Sequence, residues 1–167
     1  HESNEFVVVI DQTKLPHEIV TKEVRSSDDA AIAIKDMIIR GAPLIGVMGA
    51  YGLMLGLMED PSDANLDRTF KKLKSTRPTA INLNWALKRV YDKVKGCDVS
   101  KRSKTAQEEA KLIEQEDISM CENIGLNGLK IIEEICHGEK ILRYTEFGYL
   151  KSCFNKQELN KLHLILI

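Results

Sequence analysis

The chain has 167 residues and a formal net charge of −1, with 43% hydrophobic and 29% charged residues. This length and balance are typical of one compact soluble domain, or of one domain with a short extension. The near-zero charge gives no long-range field that would attract nucleic acid or an anionic membrane, so neither is expected as a partner. None of the four cysteines forms a CxxC pair, which favours reduced thiols in a cytoplasmic protein over disulfides.

The first 40 residues predict two strands followed by a helix. Apolar and β-branched residues at 6–10 favour a strand, and a second strand is expected at 18–24 after a short turn, so the two should pair antiparallel. A serine at 26 or 27 can cap a helix that runs to about Arg40. This helix should bury three isoleucines: Ile32, Ile34 and Ile38. The polar start, which lacks Met, suggests that the chain begins inside a longer reading frame.

The uncharged segment from Gly41 to Met58 predicts a buried helix. It reaches the lower limit of length for a membrane span. However, Pro43, five glycines and closely flanking charges favour a helix packed against neighbouring helices. A core helix of a soluble protein is therefore the preferred interpretation.

Three more helices follow in the pattern. The first is amphipathic and covers about 63–74, and the second is expected to be capped by Thr79 and to end at Gly96. After an exposed linker at 98–105, a long helical pattern covers 107–136. The second helix should bury Leu83, Ala86, Leu87, Val90 and Val94. The predicted fold class is mainly α with a small antiparallel β-sheet (α+β).

Two arginines stand where a loop should turn into a helix, in Arg40-Gly41-Ala42-Pro43 and in Arg77-Pro78-Thr79-Ala80. A helix N-terminus presents unpaired N–H groups and partial positive charge, which attract anions. The arginine fork can hold two phosphate oxygens at once. These motifs suit a phosphate site, although the residues by themselves favour a structural role. The alternative is that both arginines pair with carboxylates or helix C-termini and that the glycine and prolines only mark helix boundaries.

Other candidate residues are given structural roles. Cys136-His137 lacks a second pair at zinc-like spacing, so no metal site is predicted. Trp85 is expected in the core, and His17 is assigned no catalytic role. The acidic residues of the long helix are interpreted as its solvated face: Glu108, Glu109, Glu114, Glu116 and Asp117.

Four ordered blocks between residues 7 and 142 carry a family resemblance. They are DQTKLP at 11–16, IRGAPLIG at 39–46, TRPTAINL at 76–83 and CENIGLNGL at 121–129. The chain thereby resembles the methylthioribose-1-phosphate isomerases, within a wider family that includes ribose-1,5-bisphosphate isomerases and the regulatory subunits of translation initiation factor 2B. The first and third blocks favour the isomerase branch.

The resemblance implies an activity and a set of site residues. Family members convert 5-methylthioribose 1-phosphate to 5-methylthioribulose 1-phosphate in methionine salvage, without a cofactor or metal and as homodimers in the full-length proteins. It implies that Arg40, Gly41, Ala42 and Arg77 bind the sugar phosphate. Catalysis in the family belongs to a Rossmann-like C-terminal domain, through a cysteine and an aspartate. The expected organisation is a helical N-terminal domain at 1–138 and the start of the C-terminal domain at 139–167.

The chain departs from the family after Leu142. The family reads Thr-His-Cys-Asn-Ala-Gly there, whereas this chain reads Arg-Tyr-Thr-Glu-Phe-Gly at 143–148, with Thr145 in the place of the cysteine. A threonine hydroxyl has too high a pKa to replace a thiol in acid–base catalysis. We therefore expect a divergent, truncated tail, no Rossmann-like domain and no turnover by the isolated chain. The alternative is a non-catalytic module that binds a sugar phosphate or nucleotide, like the initiation factor 2B subunits.

Overall fold

The computed structural model describes residues 6–136. Two short strands, β1 (Val7–Ile10) and β2 (Thr21–Val24), pair antiparallel with Val7 opposite Val24. This confirms the small antiparallel sheet. The second strand begins later than expected, because the amides of His17 and Glu18 both donate to the carbonyl of Lys14 and keep the chain in a turn.

Helix α1 covers Ser27–Lys35 and begins as predicted. Ser26 accepts from the amide of Asp29 at 3.1 Å, and the Asp29 carboxylate accepts from the Ser26 amide at 3.0 Å, which completes a capping box. The expected extension of α1 to Arg40 is wrong. Met37 adopts a φ of 58°, a left-handed conformation that cannot continue a right-handed helix. The predicted burial holds for Ile34 and Ile38 but not for Ile32, which is 45% exposed.

Four further α-helices follow: α2 (Ala42–Glu59), α3 (Asp63–Thr76), α4 (Ile81–Lys95) and α5 (Arg102–Cys136), with a short 3₁₀ helix at Val99–Lys101 before the last. A mainly helical fold with a small antiparallel sheet is therefore confirmed. Among the described residues, one helix, α2, is long and apolar enough to cross a membrane. However, 78% of it is buried inside the protein. Its burial matches the predicted core helix.

Helices α2 and α4 run side by side in the same direction. A Cβ atom added to Gly46 would lie 2.9 Å from the backbone oxygen of Asn82, and Gly49 packs against Leu83 and Leu87. The later glycine of α2 contacts later residues of α4. The two helices are therefore parallel, and their first turns are neighbours. Because glycine has no side chain, Gly46 and Gly49 permit this close approach of the α2 backbone to α4.

Helices α1 and α3 run opposite to α2. Gly52 contacts Ala30 of α1 and Leu73 of α3, whereas Gly56, one turn later, contacts the earlier residues Ser27 and Thr69. The C-terminal ends of α1 and α3 therefore lie beside the N-terminal ends of α2 and α4. We call this end, formed by the loops 36–41 and 77–80, the arginine end, because it carries Arg40 and Arg77.

The five predicted core positions of α4 are all buried: Leu83, Ala86, Leu87, Val90 and Val94. Trp85, in contrast, is half-exposed, so its expected place in the core is wrong. At about 100° per residue, Trp85 falls on the face of α4 opposite to Leu83 and Leu87. The guanidinium of Arg89 lies over its ring at 5.3 Å.

The exposed linker expected at 98–105 is confirmed for residues 98–101, which are exposed, but it is wrong for 102–105, which already belong to α5. Arg102 is 4% exposed, donates to the carbonyl of Pro61 at 2.9 Å and pairs with Asp63 at 2.8 Å. Ser103 donates to the carbonyl of Leu57 at 2.6 Å. The start of α5 is thus fixed to the end of the bundle opposite to the arginine end.

The acidic residues of α5 are not all solvated. Glu109 and Asp117 are 7% and 8% exposed, so the predicted solvated face is wrong for both. Glu109 accepts from Arg89 at 2.7 Å, and Glu114 accepts from the hydroxyl of Tyr51. A buried carboxylate is stabilised by such a partner, which Arg89 supplies to Glu109. Burial raises the pKa of Asp117.

The chain divides into two compact units, with His1–Glu114 in one and Gln115–Leu166 in the other. The described part of the second unit is the C-terminal half of α5. Our expectations for residues 137–167, which include the boundary at 138/139, His137 and Thr145, lie outside the described residues.

Replacing Gly46 with alanine should destabilise the protein by about 1–3 kcal/mol, because the added Cβ meets the backbone of α4 rather than a movable side chain. Gly128→Ala is the matched control. No neighbour lies within 4 Å of its added Cβ, and alanine favours the helix by up to about 1 kcal/mol. Urea unfolding followed by circular dichroism measures both. Equal stabilities would show that α2 and α4 are not in backbone contact.

The Glu109→Gln variant should lose about 1–2 kcal/mol of stability, because it removes the charge of a nearly buried carboxylate that pairs with Arg89. Asp92→Asn is the control, since it removes an exposed pair with Lys88 and should change stability by less than about 0.5 kcal/mol. Thermal unfolding of both variants tests the difference. A Glu109 variant as stable as the control would mean that the contact between α4 and α5 depends little on this pair.

Candidate functional site

Arg40 and Gly41 lead directly into α2, as the sequence predicts. Gly41 is the N-cap residue with a φ of 96°, a conformation that strains any residue with a Cβ. No side chain caps this helix, and its first turn contains Pro43 but no acidic residue. The positive end of the α2 dipole is therefore not neutralised by a side chain of its own.

Arg77 lies four residues before α4 rather than at its first turn. It is the half-buried C-cap residue of α3, and α4 begins at Ile81 after the N-cap Ala80. The predicted cap by Thr79 is wrong, because Thr79 is exposed and no side chain caps α4. The amide of Ala80 donates to the carbonyl of Arg77 at 3.0 Å, which closes a turn between the two helices.

Asn84 holds this turn in place. Its side-chain amide donates to the carbonyl of Pro78 at 3.2 Å and to that of Ala80 at 3.0 Å. The oxygen of the same amide is buried and lacks a partner among the described residues. Asn84 therefore positions the loop that carries Arg77, although it was not singled out in the sequence.

The two ends of the bundle differ in whether side chains cap the N-termini of their helices. At the end opposite to the arginine end, Ser26 caps α1 and Ser62 caps α3, and both helices carry aspartates in the first turn. Both helices that begin at the arginine end lack a side-chain cap and an acidic first turn. The partial positive charge of α1 and α3 is thus compensated, whereas that of α2 and α4 is not.

Neither Arg40 nor Arg77 has an ion pair or a hydrogen bond from its side chain to any residue of the described chain. Arg40 is exposed, and Arg77 is half-buried. The alternative interpretation, in which both arginines pair with carboxylates or helix C-termini, is therefore not what residues 6–136 show. Two guanidinium groups and two uncapped helix starts at one end favour an anion ligand.

The loop after β1 also lies at the arginine end. The amide of Gln12 donates to the carbonyl of Ile38 at 2.8 Å, which joins this loop to the segment that precedes Arg40. The Asp11 carboxylate accepts from the amide and the hydroxyl of Thr13, at 3.0 and 2.6 Å. The hydrogen bond from the Thr13 hydroxyl lowers the pKa of Asp11 and keeps it ionised.

Three of the four sequence blocks, 11–16, 39–46 and 76–83, therefore meet at the arginine end. The fourth block, 121–129, belongs to the second unit. Within that block, burial and then the nearby Asp117 carboxylate raise the pKa of the Cys121 thiol, which keeps it protonated. Across the described residues, no group of three or more His, Cys, Asp or Glu residues could hold a metal ion.

The arrangement suits a small anion that also carries hydroxyl groups. Cationic groups and helix N-termini bind the anionic part, and the polar loop at 11–14 lies beside them. Of the three buried side-chain atoms that lack a partner in the described chain, two are at this end, on Gln12 and Asn84. The contribution of the 11–16 loop to the site was indicated in the sequence by its matched block alone.

The chain is similar in sequence to curated methylthioribose-1-phosphate isomerases. The chain is 50% identical over 150 residues to a methylthioribose-1-phosphate isomerase of Escherichia coli, covering 86% of this chain and 40% of that protein. It is 44% identical over 156 residues to the enzyme of that name from Sinorhizobium medicae, covering 90% and 43%. The chain thus spans less than half the length of these curated relatives.

Two solved structures resemble the fold. The crystal structure of 5-methylthioribose 1-phosphate isomerase from Pyrococcus horikoshii matches with a TM-score of 0.65 and 31% identity, over 71% of this chain and 36% of that one. The delta subunit of translation initiation factor 2B from A. fulgidus matches with a TM-score of 0.59 and 37% identity, over 66% and 35%. The profile of the Initiation factor 2 subunit family matches residues 38–165, which is most of the chain. The chain therefore belongs to the Initiation factor 2 subunit family.

Proposed function

We propose that this chain binds 5-methylthioribose 1-phosphate at the arginine end and supplies the phosphate-binding part of a methylthioribose-1-phosphate isomerase in the cytoplasm. The observation that carries the proposal is that Arg40 and Arg77, both without side-chain partners in the described chain, lie on loops at the same end of the bundle as two uncapped helix N-termini. The names of the relatives supply the identity of the sugar phosphate and of the reaction.

The proposed roles follow from the geometry of each residue. Arg40 offers a flexible, exposed fork to the phosphate, while Gly41 and Ala42 leave the first amides of α2 accessible because neither has a bulky side chain. Arg77 contributes a second positive charge from a loop that Asn84 fixes. Two arginines on separate loops define an orientation, whereas one charge alone would leave the phosphate free to rotate.

The chemistry of the reaction explains why binding alone is not enough. A phosphate on the anomeric carbon prevents the sugar ring from opening simply to an aldehyde. The ring oxygen must be protonated and hydrogen must move between adjacent carbons, which needs acid–base groups shielded from water. Asp11 is held ionised by Thr13 and is therefore a poor proton donor. We propose that the acid–base groups lie outside residues 6–136 and that the chain alone gives no turnover.

The second candidate function is a non-catalytic module that binds a sugar phosphate or nucleotide. The structural similarity to an initiation factor 2B subunit favours it, although the curated relatives named above are isomerases. Titration with AMP beside 5-methylthioribose 1-phosphate separates the two. Preference for the sugar phosphate supports the isomerase, and preference for AMP supports the module.

The Arg40→Ala variant should weaken binding of 5-methylthioribose 1-phosphate at least about tenfold, since hydrogen bonds to a charged group contribute about 1.5–3 kcal/mol. Isothermal titration of the whole 167-residue chain measures the change. Lys88→Ala is the control, because Lys88 is exposed on α4 and pairs only with Asp92 in the described chain. Wild-type affinity in the Arg40 variant would remove the phosphate site from the arginine end.

The Asn84→Ala variant should weaken the same binding about threefold to tenfold, because it releases the loop that carries Arg77 without removing a charge. Asn123→Ala, at an exposed position of α5, is the matched control. The same titration, repeated with Arg77→Ala and with the double variant, tests the coupling. Additive losses in the double variant would show that Asn84 does not act through Arg77.

A further inference from the structure

Gln12 has a feature that its surroundings do not explain. Its side-chain nitrogen is buried and has no hydrogen-bond partner among the described residues. Its backbone amide, in contrast, donates to Ile38 at 2.8 Å and fixes the residue beside the loop that carries Arg40. A buried amide donor without a partner costs about 1–3 kcal/mol. Such a donor gains a hydrogen bond where binding supplies an acceptor.

The geometry allows the Gln12 amide to meet a ligand. The residue as a whole is only partly buried, so its side chain lies at the boundary between the protein and solvent. The terminal torsion of glutamine is broad and turns at low cost. A half-turn about this bond exchanges the positions of the nitrogen and the oxygen of the amide and turns the donor outward, without a change in the backbone that Ile38 holds.

The local charge indicates which part of a sugar phosphate would lie there. Gln12 is neutral, and its neighbour Asp11 is a carboxylate whose two bonds to Thr13 maintain its negative charge. A carboxylate repels phosphate but accepts hydrogen bonds from hydroxyl groups. The positive groups, Arg40 and Arg77, lie on the other two loops. The phosphate is therefore expected at the arginines and the sugar at the 11–14 loop.

We infer that Gln12 is a specificity-determining residue that donates a hydrogen bond to an oxygen of the bound sugar, while the arginines hold its phosphate. This inference rests on the proposed function, and it adds the recognition of the sugar to the binding of the phosphate. It predicts that the Gln12 amide is unpaired in the free protein and paired in the complex.

The test uses Gln12→Met in the whole chain, because methionine keeps the length of the side chain and removes the donor. Gln115→Met, at an exposed position of α5, is the control for the same substitution elsewhere. Each variant is titrated with 5-methylthioribose 1-phosphate and, separately, with inorganic phosphate. The melting temperature of the free protein is measured as well, since a structural role and a binding role affect it differently.

We expect Gln12→Met to bind the sugar phosphate about tenfold more weakly and to bind inorganic phosphate as the wild type does. Its melting temperature without ligand should be equal to or higher than that of the wild type, because a buried unpaired donor is removed. Gln12→Asn, which keeps the amide on a shorter side chain, should fold and also lose affinity for the sugar phosphate. It provides the same test if the methionine variant does not fold.

Four outcomes would overturn the inference. A lower melting temperature with unchanged affinity would assign Gln12 to the fold alone. An equal loss of affinity for inorganic phosphate would place its contact on the phosphate. If Arg40→Ala loses binding while Gln12→Met does not, only the role of Gln12 is wrong. No binding of either ligand by the wild type would overturn the proposed function together with this inference.

Discussion

The structure depends on the backbone contact between α2 and α4. Gly46 approaches the carbonyl of Asn82 so closely that an added Cβ would lie 2.9 Å from it. This contact places the first turns of two helices side by side, so their dipoles add at one end of the bundle. Repulsion between like dipole ends is unfavourable, and burial of the apolar α2 surface offsets it. A bound anion would remove that repulsion, so the packing that forms the core also prepares the site.

The two ends of the bundle differ in how strongly their helix ends are stabilised. Ser26 and Ser62 cap the helices that begin at one end, and the buried Arg102 joins that end to α5 through Pro61 and Asp63. Each cap contributes about 1 kcal/mol. The arginine end has no such side-chain caps. Met37 there adopts a left-handed conformation, which costs about 1–2 kcal/mol. Such unfavourable local conformations are typical of sites where uncompensated groups contact a ligand.

Hydrophobic periodicity in the sequence predicts those features of the fold that depend on local geometry. The 3.6-residue repeat identifies the five buried positions of α4, and the serine–aspartate pair at 26 and 29 marks the start of α1. The end of α1 is not predictable in this way, because methionine carries no compositional signal for a left-handed residue. The burial of Arg102 and Glu109 is missed for a different reason. Their partners are Pro61 and Arg89, which lie 41 and 20 residues away in the sequence, and charge alone predicts exposure.

The same distinction applies to the candidate site. Arg40 and Arg77 are predictable, because each follows from a residue type at a helix boundary. Gln12 and Asn84 are not, because their significance arises from bonds that only the folded chain makes: one between residues 12 and 38, the other across the turn before α4. Charged groups attract the ligand over a distance, whereas neutral amides act only at hydrogen-bond range. The sequence therefore predicts an anion site, and the fold is needed to show which neutral groups lie beside it.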